Sequence, residues 1–161
     1  MLSLVALSNS HLELTLDSLR THLDRIYPGH FLPPREHGTF VVVGEASGVQ
    51  FLIQSNIEGA KGLFMLHSVP GPYTEFSDFH RRIAEPSLHE RATAQKCWLS
   101  VDLLRPYGTD DEAYSFIARV LAHLAPTDTA ALVDPEPLMT IAFNDDVRLQ
   151  LAKGNRVFGK P

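Results

Sequence analysis

Cysteine is nearly absent: Cys97 is the only one in 161 residues. A lone thiol excludes an intrachain disulfide and suits a reducing compartment. It also removes zinc sites built on cysteine pairs, and no His-Glu-x-x-His segment supplies the histidine alternative. Phosphate loops are missing as well, because Gly44 and Gly48 come with neither the lysine nor the spacing that cradles a phosphate. No Gly-x-Ser-x-Gly elbow marks a hydrolase nucleophile. No apolar run approaches the ~18 residues of a membrane-spanning helix. Positive charge is short: Lys and Arg number 14 against 19 Asp and Glu, a formal net charge of −5. Nucleic acids and anionic membranes are held through basic fields, so neither is an expected partner. No cofactor and no metal is expected. A site gathered from scattered residues remains open.

What is present is a globular composition, 44% hydrophobic and 20% charged, in a chain long enough for one packed core. The opening MLSLVALSNSHLELT carries no positive leader, and Leu2–Leu7 reads as a strand covered on both faces. With the single thiol, this gives a cytoplasmic expectation. Thr15 is placed to cap a helix in which Leu16, Leu19, Leu23, Ile26 and Tyr27 repeat at helical spacing until Pro28-Gly29. Prolines make His30–Gly38 a loop. Phe40–Val43, a segment opened by Gly48, and Leu63–Val69 read as three successive strands, the last two joined by a turn at Glu58–Gly62.

Phe76, Phe79 and Ile83 follow at helical spacing, and Pro86 breaks that pattern. Leu88–Ala94 can form a short helix, and Cys97–Leu104 a strand. Thr109-Asp110-Asp111-Glu112 is a capping box that opens a helix with a broad apolar stripe, ended by Pro126. Ala130–Val133 and Leu138–Phe143 read as strands, and Asn144 caps a last helix closed near Gly154. This order predicts one α+β domain over residues 1–154 and a tail over 155–161. The sheet is expected to be mixed and mostly antiparallel, with helices mainly on one face, ferredoxin-like with additions.

The segment HSVPGPYTEF, residues 67–76, holds the best candidates for chemistry. His67 alternates with Leu63, Met65 and Val69 and so shares their face of the strand. It reads either as a partly buried histidine satisfied by hydrogen bonds or as a general base, which needs Asp78, Glu75 or Asp102 within reach. Tyr73 reads either as cover for the core at the turn or as part of a pocket. Asp102 shares a face with Trp98 and Ser100, a polar pair of site type or a half-solvated face near a sheet edge. Cys97 falls on the opposite, apolar face and reads as an inert buried thiol. Among the other histidines, His30 and His37 flank a loop of undefined geometry, and His123 sits near a helix C-terminus that favours a cation.

The strand ending FMLHSVPGPY, the strand CWLSVDLL and the capped helix TDDEAYSFIARVLAHL resemble bacterial families described only as domains of unknown function. The likeness covers about half the chain, from Gly48 to Leu124. It implies an intracellular bacterial α+β domain and carries over no catalytic residue. The expected function is a non-catalytic binding or assembly module, through self-association or a protein partner, with strands such as Phe40–Val43 available at an edge. The alternative is a small enzyme, such as a hydrolase, with a site among His67, Tyr73, Asp78 and Asp102. A small acidic partner protein of the immunity or antitoxin type is a third reading.

Overall fold

The computed structural model describes residues 2–31, 39–45, 48–73 and 79–159, with backbone alone for 39–45 and for 79 and 80. In chain order the elements are β1 (Ser3–Ser8), α1 (Leu16–Ile26), β2 (Thr39–Glu45), β3 (Gly48–Ser55), β4 (Gly62–Pro70), a 3₁₀ turn (Phe79–Arg82), α2 (Pro86–Thr93), β5 (Cys97–Pro106), α3 (Asp110–Leu124), β6 (Ala131–Asp134), β7 (Met139–Ala142) and α4 (Asp145–Ala152).

Local chemistry sets the helix ends. The Thr109 hydroxyl accepts from the Glu112 amide at 3.2 Å, and the Glu112 carboxylate accepts from the Thr109 amide at 2.8 Å. That amide holds the Glu112 carboxyl below its ordinary range. Thr15 and Ser18 make the same reciprocal pair at the start of α1, with serine in the role usually taken by Glu or Gln. Asn144 caps α4 by accepting from the Val147 amide at 2.9 Å. Pro86 opens α2 rather than only ending what precedes it. At a first helical position the missing N–H costs nothing and the fixed φ suits the helix.

The strands form one sheet in the order β2-β3-β4-β5-β1-β6-β7. Within it, β4-β5-β1-β6 is the ferredoxin-like core, with the β2-β3 hairpin added at one edge and β7 at the other. Every described pairing is antiparallel, so the parallel pairs of a mixed sheet are absent among the described residues. The reason is topological. The crossover through α3 links β5 and β6 in parallel, but β1 lies between them and runs the other way.

Three helices, α1, α3 and α4, cover one face. Leu4, Ala6, Phe64, Leu66, Leu99 and Val101 from the sheet meet Leu19, Leu23, Phe116, Ile117, Leu121 and Leu151 in this core. Phe116 stacks on Phe64 at 4.2 Å and on Tyr27 at 5.6 Å between ring centroids. On the other face a smaller cluster joins Val5, Leu7, Ala131 and Val133 to Tyr73, Leu88 and Ala92. With layers on both sides, all six residues of β1 are buried, which is why Leu4–Leu7 is an unbroken apolar run between two serines. After Gly154 the chain turns back over α3: Phe158 is buried in the main core, and the Val157 amide donates to the Tyr114 hydroxyl at 3.3 Å. Among the described residues no helix is long and apolar enough to cross a membrane.

Candidate functional site

Strand register brings the polar candidates together. Asp102 on β5 lies directly opposite Ser3 on β1 and Met65 on β4, while His67 lies opposite Ser100. His67 is therefore a diagonal neighbour of Asp102, and Ser100 is two residues along the same strand. The Ser3 hydroxyl donates to Oδ1 of Asp102, and the Ser100 hydroxyl donates to Oδ2 at 2.8 Å. His67 Nε2 stands 3.5 Å from Oδ2, within ion-pair range and long for a hydrogen bond. Both side chains keep partial exposure, 23% for His67 and 20% for Asp102.

Trp98 joins His67 to Tyr73. Its ring lies 5.8 Å from His67, nearly parallel, and takes the Tyr73 ring edge-on at 5.3 Å. Tyr73 is only 4% exposed. Its backbone is fixed beside the β4 end, where Pro70 closes the strand and the Gly71 amide donates to the Lys96 carbonyl at 2.6 Å. Gly71 has φ of 124°, a left-handed value that a side chain would disfavour. The buried Gln95 amide, oriented to satisfy both groups, accepts from the Tyr73 amide and donates to the Cys97 carbonyl.

Of the four sequence candidates, the structure joins His67 to Asp102 directly and to Tyr73 through Trp98. Asp78 lies outside the described residues. Asp102 does not sit near a sheet edge: β5 is the fourth of seven strands, so the carboxylate is central and half-covered. Ser3 is a member of the cluster that sequence reading missed, because one hydroxyl inside an apolar run carries no signal until its strand partner is known. Cys97 is buried as expected.

The chemistry of this cluster follows from the direction of its bonds. A nucleophile and its base require a hydroxyl whose proton points at the imidazole, with the carboxylate behind the ring. Here the carboxylate is in the middle. Both hydroxyl protons go to Asp102, and His67 also meets Asp102 rather than a hydroxyl.

A second site lies at the end of the sheet where β5 runs out and α3 begins. A cavity of about 740 Å³ opens there between the start of β1, the β6–β7 turn and the segment after α4. Asp110, Asp134, Glu136 and Arg156 line it together with apolar groups such as Leu104 and Met139. Burial pushes the Asp134 carboxyl above its ordinary range and the Glu136 charge adds to that, against the opposing pull of the Glu136 amide and the Arg156 charge. Arg156 is already committed: its Nε and Nη2 each lie 3.1 Å from Asp111 Oδ1, and the guanidinium covers the Tyr114 ring at 4.6 Å. A smaller cavity of about 430 Å³ separates edge strand β7 from Arg82–Leu88. His67 lines neither cavity. Sequence reading did not anticipate the larger one, because its walls come from five separate stretches that only the topology gathers.

Among the described residues no three His, Cys, Asp or Glu side chains gather as metal ligands would. His22 and His123, from α1 and α3, pair with each other at 3.0 Å. Both imidazoles are held below their ordinary pKa, chiefly by burial, with His22 and then Arg25 adding to it at His123 and Arg25 at His22. At His123 this outweighs the cation preference of a helix C-terminus.

Comparison with models of known protein families, with curated proteins and with solved structures finds no match to this chain.

Proposed function

We propose that this protein is a non-catalytic binding module that takes its ligand in the cavity at the end of the sheet. The observation that carries the reading is the closed polarity around Asp102: two hydroxyls and one imidazole converge on a single carboxylate, and among the described residues of this cluster no hydroxyl is presented to a base. The cluster serves the sheet. The cavity supports the binding half of the reading, since about 740 Å³ of mixed apolar and charged lining is the size and character of a small-molecule site. The net charge of −5 argues against nucleic acid. The buried, unpaired Cys97 fits the cytoplasm, and the resemblance noted above would make that cytoplasm bacterial.

The second reading, a small hydrolase centred on His67, draws on the 3.5 Å approach of His67 to Asp102 and on the partial exposure of both. One comparison separates the two. Wild type and His67→Ala are assayed against a panel of ester, amide and phosphoester substrates and screened for ligands by thermal shift. The binding reading expects no turnover by wild type and the same stabilising ligands for both proteins. Turnover that His67→Ala abolishes would establish the enzyme and end the binding reading. Self-association through edge strands β2 or β7 is read from the same samples by light scattering, where a dimer mass supports an assembly role.

A further inference from the structure

We propose that His22 and His123 form a two-imidazole site for a late first-row divalent cation: nickel, copper or zinc. The site bridges α1 and α3, and neither ring lines the cavity at the end of the sheet, so it goes beyond the binding reading above.

Geometry is the first argument. Nδ1 of His22 and Nε2 of His123 stand 3.0 Å apart. Imidazole nitrogens bind these metals at about 2.0–2.1 Å, so neighbouring ligands at right angles are separated by about 2.9 Å and tetrahedral ones by about 3.4 Å. The pair already has ligand spacing. Its rings lie edge-on, 5.2 Å between centroids with planes 66° apart, so nitrogens rather than ring faces come together. The fold places both rings. Leu19 and Leu23 on α1, and Leu121 and Leu124 on α3, are buried in the main core and fix the helices that carry the histidines.

The electronic state of the rings is the second argument. Burial holds both imidazoles below their ordinary pKa, so at neutral pH the contact joins two uncharged rings, one donating and one accepting. Only the donor ring has to shift its hydrogen to its outer nitrogen for both facing lone pairs to be free. An ion therefore enters without net release of a proton. Arg25, one turn along α1 from His22, is a like charge that acts on both rings. It disfavours ions held by charge alone, such as magnesium, and leaves those with strong bonds to imidazole. Among the described residues no third His, Cys, Asp or Glu joins the pair, so water completes the coordination and the ion stays exchangeable.

The test titrates the chlorides of copper(II), nickel, zinc and magnesium into the full chain by calorimetry in a non-chelating buffer. Broadening of amide signals by substoichiometric copper(II) locates the ion. Copper is expected to bind most tightly, nickel and zinc less so, and magnesium not at all. Broadening is expected to begin around residues 22 and 123. His22→Gln and His123→Gln are each expected to weaken copper binding about tenfold or more, because a chelate is lost with either ring. His30→Gln, at an exposed position, is expected to bind as wild type. If one of the two ligand variants fails to fold, the other carries the comparison. Copper affinity unchanged by the ligand variants, or broadening spread evenly over the histidines, overturns the site and leaves an adventitious ion only. Weakening by one folded ligand variant and not by the other overturns the chelate. No binding by any of the three transition ions overturns the proposal outright. The cavity reading survives each of these failures, since it uses neither histidine.

Discussion

Replacing Asp102 by alanine strips the acceptor from two hydroxyls, those of Ser3 and Ser100, which are 6% and 3% exposed. Leaving buried hydroxyls unpaired costs about 1–3 kcal/mol, so Asp102→Ala is expected to lower unfolding free energy by that amount in a urea titration. His67→Ala is expected to cost much less, because the histidine is partly exposed and meets the carboxylate at the long end of contact. Tyr27 presents the opposite case. Its hydroxyl is buried with no partner among the described residues, and burial pushes its pKa up to about 12. Tyr27→Phe removes the orphan group and keeps the ring on Phe116, so the denaturation midpoint is expected to hold or rise.

The His22–His123 pair gives the residue scale a pH axis. Both imidazoles titrate lower in the folded chain than in the unfolded one. The unfolded state thus takes up protons first as pH falls below about 6.5. Stability is present in full above that value and is lost as pH drops through the folded pKa values. Thermal melts of wild type and of His22→Gln across pH 7.5 to 4.5, on the order of half-unit steps, are expected to differ in slope over that window. The face that His67 shares was legible from alternation alone. Its neighbours were not, because which strand lies beside β4 is a property of topology and not of any local pattern.

At the scale of elements, caps and punctuation did most of the specifying. The Thr109–Glu112 box was readable because its physics is local: a hydroxyl and a carboxylate three residues apart satisfy two amides of the same turn. Thr109→Ala is expected to cost about 1 kcal/mol, read from the shift in denaturant midpoint. The boundaries of α1, α3, α4 and the β3–β4 hairpin were legible for the same reason. Pro86 was ambiguous in sequence, since a proline ends one segment and opens another with equal ease. The meaning of Leu138 was hidden too. It sits at φ of 53° in the β6–β7 turn, a left-handed value for a bulky side chain, and packs on the second core cluster. Tertiary packing holds it there against local preference.

Across the whole molecule, the segment after α4 behaves as part of the packed body. Phe158 is 7% exposed, and Arg156 bridges to Asp111 on α3. Ending the chain at Gly154 is expected to cost about 2–3 kcal/mol for the lost aromatic burial, seen as a lower melting temperature. It also removes one wall of the large cavity. Composition and element order were enough to read an α+β fold with a ferredoxin-like core. The cavity was not readable, because five distant stretches meet there only after the sheet has closed.

That closure has a consequence for how the protein is made. Of the strands of this sheet β1 is synthesised first, yet it ends between β5 and β6, with Leu7 opposite both Trp98 and Ala131. The β2–β3–β4 meander pairs neighbours in sequence and can assemble as it emerges. Strand β1, buried on both faces, must wait until β5 and β6 have been synthesised. Long-range pairing of this kind makes folding slow and leaves a sticky segment uncovered meanwhile. Nascent chains halted before β6 are therefore the form most in need of a chaperone.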